Sequence, residues 1–238
     1  MKNGAMKLYG ISLGPYVRKV AVVLRLKELA FESVPVMPGS DENPAFKAIS
    51  PLLKVPAFSD GDLGLADSSV ICEYLEDVYP EVAVYPSDPL EKSRARWLEE
   101  YADTKVVGVC GPGIFFQRVI KPGLMDTPAD EALVTANIDN DMPPVLNYLE
   151  AQINELIGDR CNGTAEQSYL FGEVSVADIA IATQFLNAHY AGFDVDEKHW
   201  PALASYLQRV WAQPAFVEEV TQALPAMEDL LNKAGLAA

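Results

Sequence analysis

The feature that most constrains this chain is a change of pattern at one proline-rich stretch. Pro80–Pro89 holds three prolines, and such a cluster interrupts regular structure. Before it, strand-like and helix-like periods alternate. After it, every periodic segment repeats with helical spacing. Residues 7–12 read as a short strand and Tyr16–Leu29 as a helix. Val17, Val20, Ala21, Leu24 and Leu29 form an apolar stripe on that helix, against polar Arg18, Arg25 and Lys27. Phe31–Met37 reads as a second strand and Asn43–Ile49 as a turn or two of helix. Lys54–Ser59 and Gly64–Ala66 read as strands joined by the tight turn Asp60-Gly61-Asp62. Asp67-Ser68 then opens a helix running to Val78. The order is β-α-β-α-β-β-α.

Beyond the prolines the periodicity predicts helices over Leu90–Val109, Asp130–Ile157, Ser175–His189, Pro201–Ala212 and Pro214–Leu231. Pro143-Pro144 predicts a bend in the second, and Gly108, Gly111, Pro112 and Gly113 a break or a kink in the first. The chain therefore divides into an α+β unit over residues 1–84 and an all-helical unit over residues 85–238. Charge divides with it. Residues 1–85 carry 8 basic and 11 acidic side chains, net −3, and residues 86–238 carry 10 and 23, net −13.

A total of −16 repels nucleic acid and anionic membrane, so neither is expected as a partner. The longest apolar runs, such as Val20–Leu24, fall far short of the roughly 20 residues of a membrane span. Met1–Met6 has no apolar signal region, which predicts a chain that is not exported. Cys72, Cys110 and Cys161 stand far apart with no redox or metal spacing, as expected of thiols in a reducing cytoplasm. His189 and His199 are the only histidines. That leaves little material for a zinc site or a Ser-His-Asp triad, and no metal is expected.

Four local features carry chemistry. Ile11–Tyr16 joins a strand to a helix, with Pro15 at a favourable first helical position. A helix N-terminus offers unpaired N–H groups to an anion, and the same sequence also fits an ordinary turn. Pro56, at the head of an apolar strand, sits either at a sheet edge with a trans bond or after a cis bond. In the cis case the backbone of Val55 is turned outward to pair with a peptide. Asp67-Ser68-Ser69 can cap the helix it opens or hold a ligand's ammonium and carboxylate. Ser175 and Asp178 have the spacing of a capping box, which is a structural role.

In this order the features resemble the cytosolic glutathione transferases along almost the whole chain. The strongest part is Ser50-Pro51-Leu52-Leu53-Lys54-Val55-Pro56-Ala57-Phe58, then Asp60-Gly61, then Leu65-Ala66-Asp67-Ser68-Ser69-Val70-Ile71. It is similar to the family's Lys-Val-Pro-Ala-Leu, Asp-Gly and Leu-Xaa-Glu-Ser-Xaa-Ala-Ile pattern. The Ser175–Asp178 box is similar to the family's N-capping motif. Among its groups the chain is most similar to the serine-type, theta- or zeta-like ones. The resemblance implies a thioredoxin-like domain with a mixed four-stranded sheet, an all-α domain behind it, and a cytoplasmic homodimer. It implies glutathione as co-substrate and a small hydrophobic electrophile as second substrate.

By the same resemblance Pro56 is the cis-proline and Val55 pairs with the cysteinyl unit of glutathione. Asp67 and Ser68 hold the γ-glutamyl end. Lys54, with the Asp41–Asn43 region, lies near the glycyl carboxylate. On the chain itself, Tyr101, Phe115 and Phe116 of the first helical stretch beyond the prolines either line an electrophile site between the domains or pack in the core. The chain departs from the family at one position. Anchored on Arg18-Lys19-Val20, the catalytic Ser or Cys falls on Gly14. Glycine cannot donate a side-chain hydrogen bond, so dithiol and cysteine mechanisms are not expected. Ser12 is the first candidate for the thiol's hydrogen-bond donor and Tyr16 the second. The third is no side chain at all. Three functions stay open: a conjugating transferase, a glutathione-binding interaction or stress-response protein with little turnover, and a glutathione-dependent isomerase or peroxidase.

Overall fold

The computed structural model describes residues 5–158 and 169–236; Cys161 lies outside them. The elements of the first half are β1 (Met6–Tyr9), α1 (Pro15–Leu26), β2 (Phe31–Val34), α2 (Pro44–Ile49), β3 (Ala57–Asp60), β4 (Leu63–Ala66) and α3 (Ser68–Val78). They follow the order read from the sequence. The sheet order is β2-β1-β3-β4. β1 pairs parallel with β2, and antiparallel pairing joins β1 to β3 and β3 to β4. This is the mixed thioredoxin-like sheet. Asp60 faces Leu63 across the two-residue turn.

Strand β1 is shorter than residues 7–12 because the chain turns away at Gly10. Its φ is +141°, and a Cβ there would stand 2.5 Å from Val17 Cγ2 and 3.2 Å from Val55 Cβ. Only glycine lets the end of β1 pass between α1 and the loop before β3.

Residues 79–88 lead into the helical half, whose elements are α4 (Pro89–Tyr101), α5 (Val107–Cys110), α6 (Lys121–Leu124), α7 (Glu131–Ala136), α8 (Met142–Gly158), α9 (Val176–Tyr190), α10 (Pro201–Trp211) and α11 (Pro214–Ala234). Of the break or kink expected at Gly108–Gly113, the break does not occur. The chain stays helical from Pro89 to Leu124, with Ala102–Val106 and Gly111–Ile120 wound as π-helix. Proline explains the second stretch. Pro112 and Pro122 have no N–H, so the carbonyls of Gly108 and Arg118 lose their α-helical partners. The same reason places a π-turn at Asn137–Asp141, where the bend ahead of Pro143-Pro144 was expected.

Helix α1 is the hinge pin of the molecule. It packs against β1 and α3 on one side and α9 and α11 on the other. Its polar residues therefore do not face water: Arg18 is 1% exposed and Lys19 0%. One apolar core runs from Leu8, Val20, Leu24 and Phe58 in the first half to Leu98, Val106, Ile181 and Phe185 in the second. A smaller cluster of Tyr9, Val36, Phe46 and Ala57 lies under α2. No helix among the described residues is long and apolar enough to cross a membrane.

Candidate active site

A cavity of about 580 Å³ opens where the two halves meet. Its first wall is the loop before β3. The Val55–Pro56 peptide bond is cis. Val55 thereby lies outside the ladder, which begins at Ala57. Ser50 holds this loop from beneath: its hydroxyl donates to the Lys54 carbonyl at 2.8 Å and accepts from the Lys54 N–H at 3.2 Å. Lys54, Val55 and Pro56 all line the cavity, with Ser50, Pro51 and Leu52.

The second wall is the turn from β4 into α3, which supplies Asp67, Ser68 and Ser69. Asp67 takes the positive φ of 81°, a conformation that costs a non-glycine residue of the order of 1–3 kcal/mol. Its Oδ1 caps α3, accepting from the N–H groups of Ser69 at 3.0 Å and Val70 at 3.3 Å. Capping and cavity lining thus meet in one side chain.

The third wall comes from the helical half: Glu100, Asp103 and Thr104. Behind it lies a buried ion cluster. Lys19 Nζ donates to Asp103 Oδ2 at 2.5 Å, Glu99 Oε1 at 2.8 Å and Ser69 Oγ at 3.1 Å. Tyr85 donates to Glu99 Oε2 at 3.0 Å. Burial alone would lower the Lys19 pKa, but Asp103 and Glu99 outweigh it and hold the ammonium charged. Burial pushes the Asp103 carboxyl above its usual range against the pull of Lys19. Asp103 Oδ1 is buried without a protein partner. The unpaired oxygen is shut off from solvent, so it strains the cluster rather than offering itself to a ligand in the cavity.

The fourth wall is Tyr16, in the first turn of α1. Gly14, expected at the thiol, is the N-cap of that helix with no side-chain cap, and it does not line this cavity. The Gly14 N–H donates to Ile11 O at 3.0 Å, closing a β-turn with Ser12 and Leu13 at its corners. Ser12 is half-buried in that turn and is not part of the cavity wall. Tyr16 does line the cavity. Its hydroxyl donates to the Asp103 carbonyl at 2.7 Å, and burial, then the Asp103 carboxylate, push its pKa to about 12. Its one proton is committed. The hydroxyls of Ser50, Ser69 and Thr104 are likewise engaged, the last two with Asp103 Oδ2 at 3.3 Å and Glu100 O at 2.7 Å. With the Gly14 N–H engaged and Pro15 lacking one, the backbone donors that open α1 on this side are the N–H groups of Tyr16 and Val17; Ser68 lines the opposite wall.

Other expected positions fall elsewhere. Tyr101 packs on Tyr148 with ring centroids 4.5 Å apart, Phe115 is buried in the core and Phe116 is 39% exposed; none of the three lines this cavity. Asp41 pairs with Lys47 at 3.3 Å and Asn43 caps α2, also off the cavity. Lys19, Ser50, Glu100, Asp103 and Thr104 were not among the candidates. Only Lys19 left a trace, as a charge among apolar neighbours. Asp178 closes the α9 box, accepting from Ser175 N at 2.8 Å, Leu170 N at 3.0 Å and the Tyr206 hydroxyl at 2.9 Å. Among the described residues no group of three His, Cys, Asp or Glu is arranged to hold a metal.

Fold and site together define a thioredoxin-like domain with an outward-facing cis-proline loop, completed by a helical domain. Residues 8–83 match the family described as "Glutathione S-transferase, N-terminal domain". The chain is 31% identical over 218 residues to the maleylacetoacetate isomerase of Pseudomonas aeruginosa, covering 89% of this chain and 93% of that one. It is 28% identical over 222 residues to glutathione S-transferase Z2 of Arabidopsis thaliana, covering 92% of each. Among solved structures, a glutathione S-transferase from Rhodospirillum rubrum superposes with a TM-score of 0.76 at 28% identity, covering 91% of this chain and 92% of that one. The chain belongs to the glutathione transferase family of enzymes.

Proposed function

We propose that this enzyme binds glutathione in the cavity between its halves and conjugates the thiol to a small hydrophobic electrophile. The observation that carries this reading is the cis Val55–Pro56 bond facing the Asp67-Ser68 turn across one cavity. A peptide backbone would pair with Val55. The γ-glutamyl end would meet Asp67 and Ser68, and the glycyl carboxylate would meet Lys54. The sulfur is thereby directed at Gly14 and the start of α1. The second substrate is taken to enter along Tyr16 and Thr104 rather than over Phe115 and Phe116.

Thiol activation rests on the α1 backbone. A free thiol near pKa 8.5 is about 3% ionised at neutral pH. A helix end contributes about 0.3–1 kcal/mol, less than one pKa unit. A full hydroxyl bond to the anion is worth about 1.5–3 kcal/mol and is not supplied here by Ser12 or Tyr16. The enzyme therefore suits electrophiles that react with modest thiolate populations.

A second reading, glutathione-dependent isomerisation, is favoured by the relative in Pseudomonas aeruginosa named as an isomerase. Calorimetric titration with glutathione, followed by assays on a chloronitrobenzene, a maleyl-type cis-olefin and a hydroperoxide, separates the readings. Conjugation of the first supports the proposal, and turnover of the second alone selects isomerisation. Binding without turnover of any selects a binding protein. The partner is taken to be a second copy of the chain. Arg96 of α4 bonds Glu73 of α3 at 2.8 Å, and Val70 of α3 and Trp97 of α4 stand 47% and 55% exposed. We place this homodimer in the cytoplasm.

A further inference from the structure

Arg18 is the least expected residue in the fold. Its side chain is fully buried, 1% exposed, yet among the described residues no carboxylate pairs with it. One terminal nitrogen donates to Thr183 O at 3.1 Å and Asn187 Oδ1 at 2.9 Å, both on α9. The other reaches Leu13 O at 3.5 Å. Its Nε has no partner. Asn187 also donates to Leu13 O, at 3.1 Å. Two side chains thus converge on the carbonyl one residue before Gly14.

The surroundings leave the charge uncompensated. Tyr190 of α9 and Glu219 of α11 are the nearest ionisable groups that favour it. Glu219 is itself bonded to Arg25 at 2.9 Å. Lys19, the next residue of α1, is engaged by Asp103 and Glu99. Burial of an unpaired cation opposes folding, and burial pulls the Arg18 pKa down to about 10, which leaves it charged at neutral pH. A field from such a charge is poorly screened inside the protein.

We propose that Arg18, held by Asn187, is the positioning residue that replaces the missing hydroxyl. It fixes the Leu13–Gly14 turn at the start of α1, and its charge favours a thiolate placed there. This rests on the glutathione reading above. The S–H bond of the bound thiol ionises, its proton passes to water, and the electron pair stays on sulfur. Arg18 touches neither sulfur nor substrate; it acts through the turn and through its field.

The test is an ultraviolet titration of the thiolate in the glutathione complex of the intact enzyme. Arg18→Gln removes the charge, Arg18→Lys keeps it, and Asn187→Asp gives it a counter-ion at nearly constant shape. Arg18→Gln and Asn187→Asp should each raise the bound thiol's pKa by about one unit, a tenfold loss of thiolate near neutrality. Arg18→Lys should restore most of the shift. The KM for glutathione should move much less than kcat at neutral pH, and kcat should recover as pH rises. Wild-type titration curves in Asn187→Asp and the Arg18 variants, with only the melting temperature lowered, would overturn the proposal and leave Arg18 a structural residue. If Arg18→Gln does not fold, Asn187→Asp alone decides. Failure of the wild type to bind glutathione would instead overturn the reading on which this one rests.

Discussion

Asp67 combines a strained backbone, a helix cap and a place on the cavity wall. Asp67→Ala should weaken glutathione by about 1.5–3 kcal/mol, the worth of a charge-assisted hydrogen bond, with folding checked separately by melting because α3 also loses its cap. Unchanged calorimetric affinity in a folded variant would remove Asp67 from the site. Gly14 tests the other end. A Cβ there would meet only Ile11 O at 3.4 Å and Val17 Cγ2 at 3.7 Å, and its φ of −76° suits any residue. Gly14→Ser should fold normally and lower the bound thiol's pKa by about one to two units, the worth of one hydroxyl bond to an anion. A serine variant that titrates like the wild type would put the sulfur elsewhere. Pro56, Asp67 and Ser68 were legible because they lie in one short contiguous motif. Asp103 was not. It joins Ser69 from 34 positions away and Lys19 from 84, and only the packing of α1 against the helical half brings them together.

At the scale of elements, periodicity located the helices well and described α1 poorly. Its Arg18, Arg25 and Lys27 read as polar against the apolar stripe, yet other elements cover all three. Arg18 reaches α9, Arg25 bonds Glu219 of α11, and Lys27 bonds Glu76 of α3 at 2.8 Å and the carbonyls of Tyr79 and Val82. A pattern on one helix cannot show what a second helix brings to it. The start of α1 carries a direct test. Ser12→Ala should leave the bound thiol's pKa unchanged, since Ser12 sits at a turn corner off the cavity. Tyr16→Phe removes the bond to the Asp103 carbonyl, and should raise the KM for glutathione more than it lowers kcat. A pKa shift in Ser12→Ala alone would return the donor role to Ser12. In α9, Asp178→Ala strands the N–H groups of Leu170 and Ser175 and the Tyr206 hydroxyl. At about 1–3 kcal/mol for each buried orphan, denaturant unfolding should show a loss of several kcal/mol, with glutathione affinity kept by the protein that remains folded.

The whole molecule explains why the site lies where it does. The sheet half supplies the cis-proline loop and the Asp67-Ser68 turn, but the acidic wall belongs to the helical half. The Lys19 cluster and the Arg18 contacts cross that boundary, so neither half completes the cavity alone. If the face around Val70 and Trp97 joins two copies, light scattering should give twice the chain mass, and Trp97→Glu should give the monomer. A wild-type monomer would refute that interface. The central claim is that glutathione lies along Val55 with its sulfur at the backbone of α1 and no side-chain hydroxyl bonded to it. A crystal structure of the glutathione complex measures this directly. The account predicts the cysteinyl backbone paired with Val55, the γ-glutamyl end at Asp67 and Ser68, and the sulfur nearest the N–H groups that open α1. A sulfur hydrogen-bonded to the hydroxyl of Ser12 or Tyr16, or a tripeptide bound outside this cavity, would contradict it.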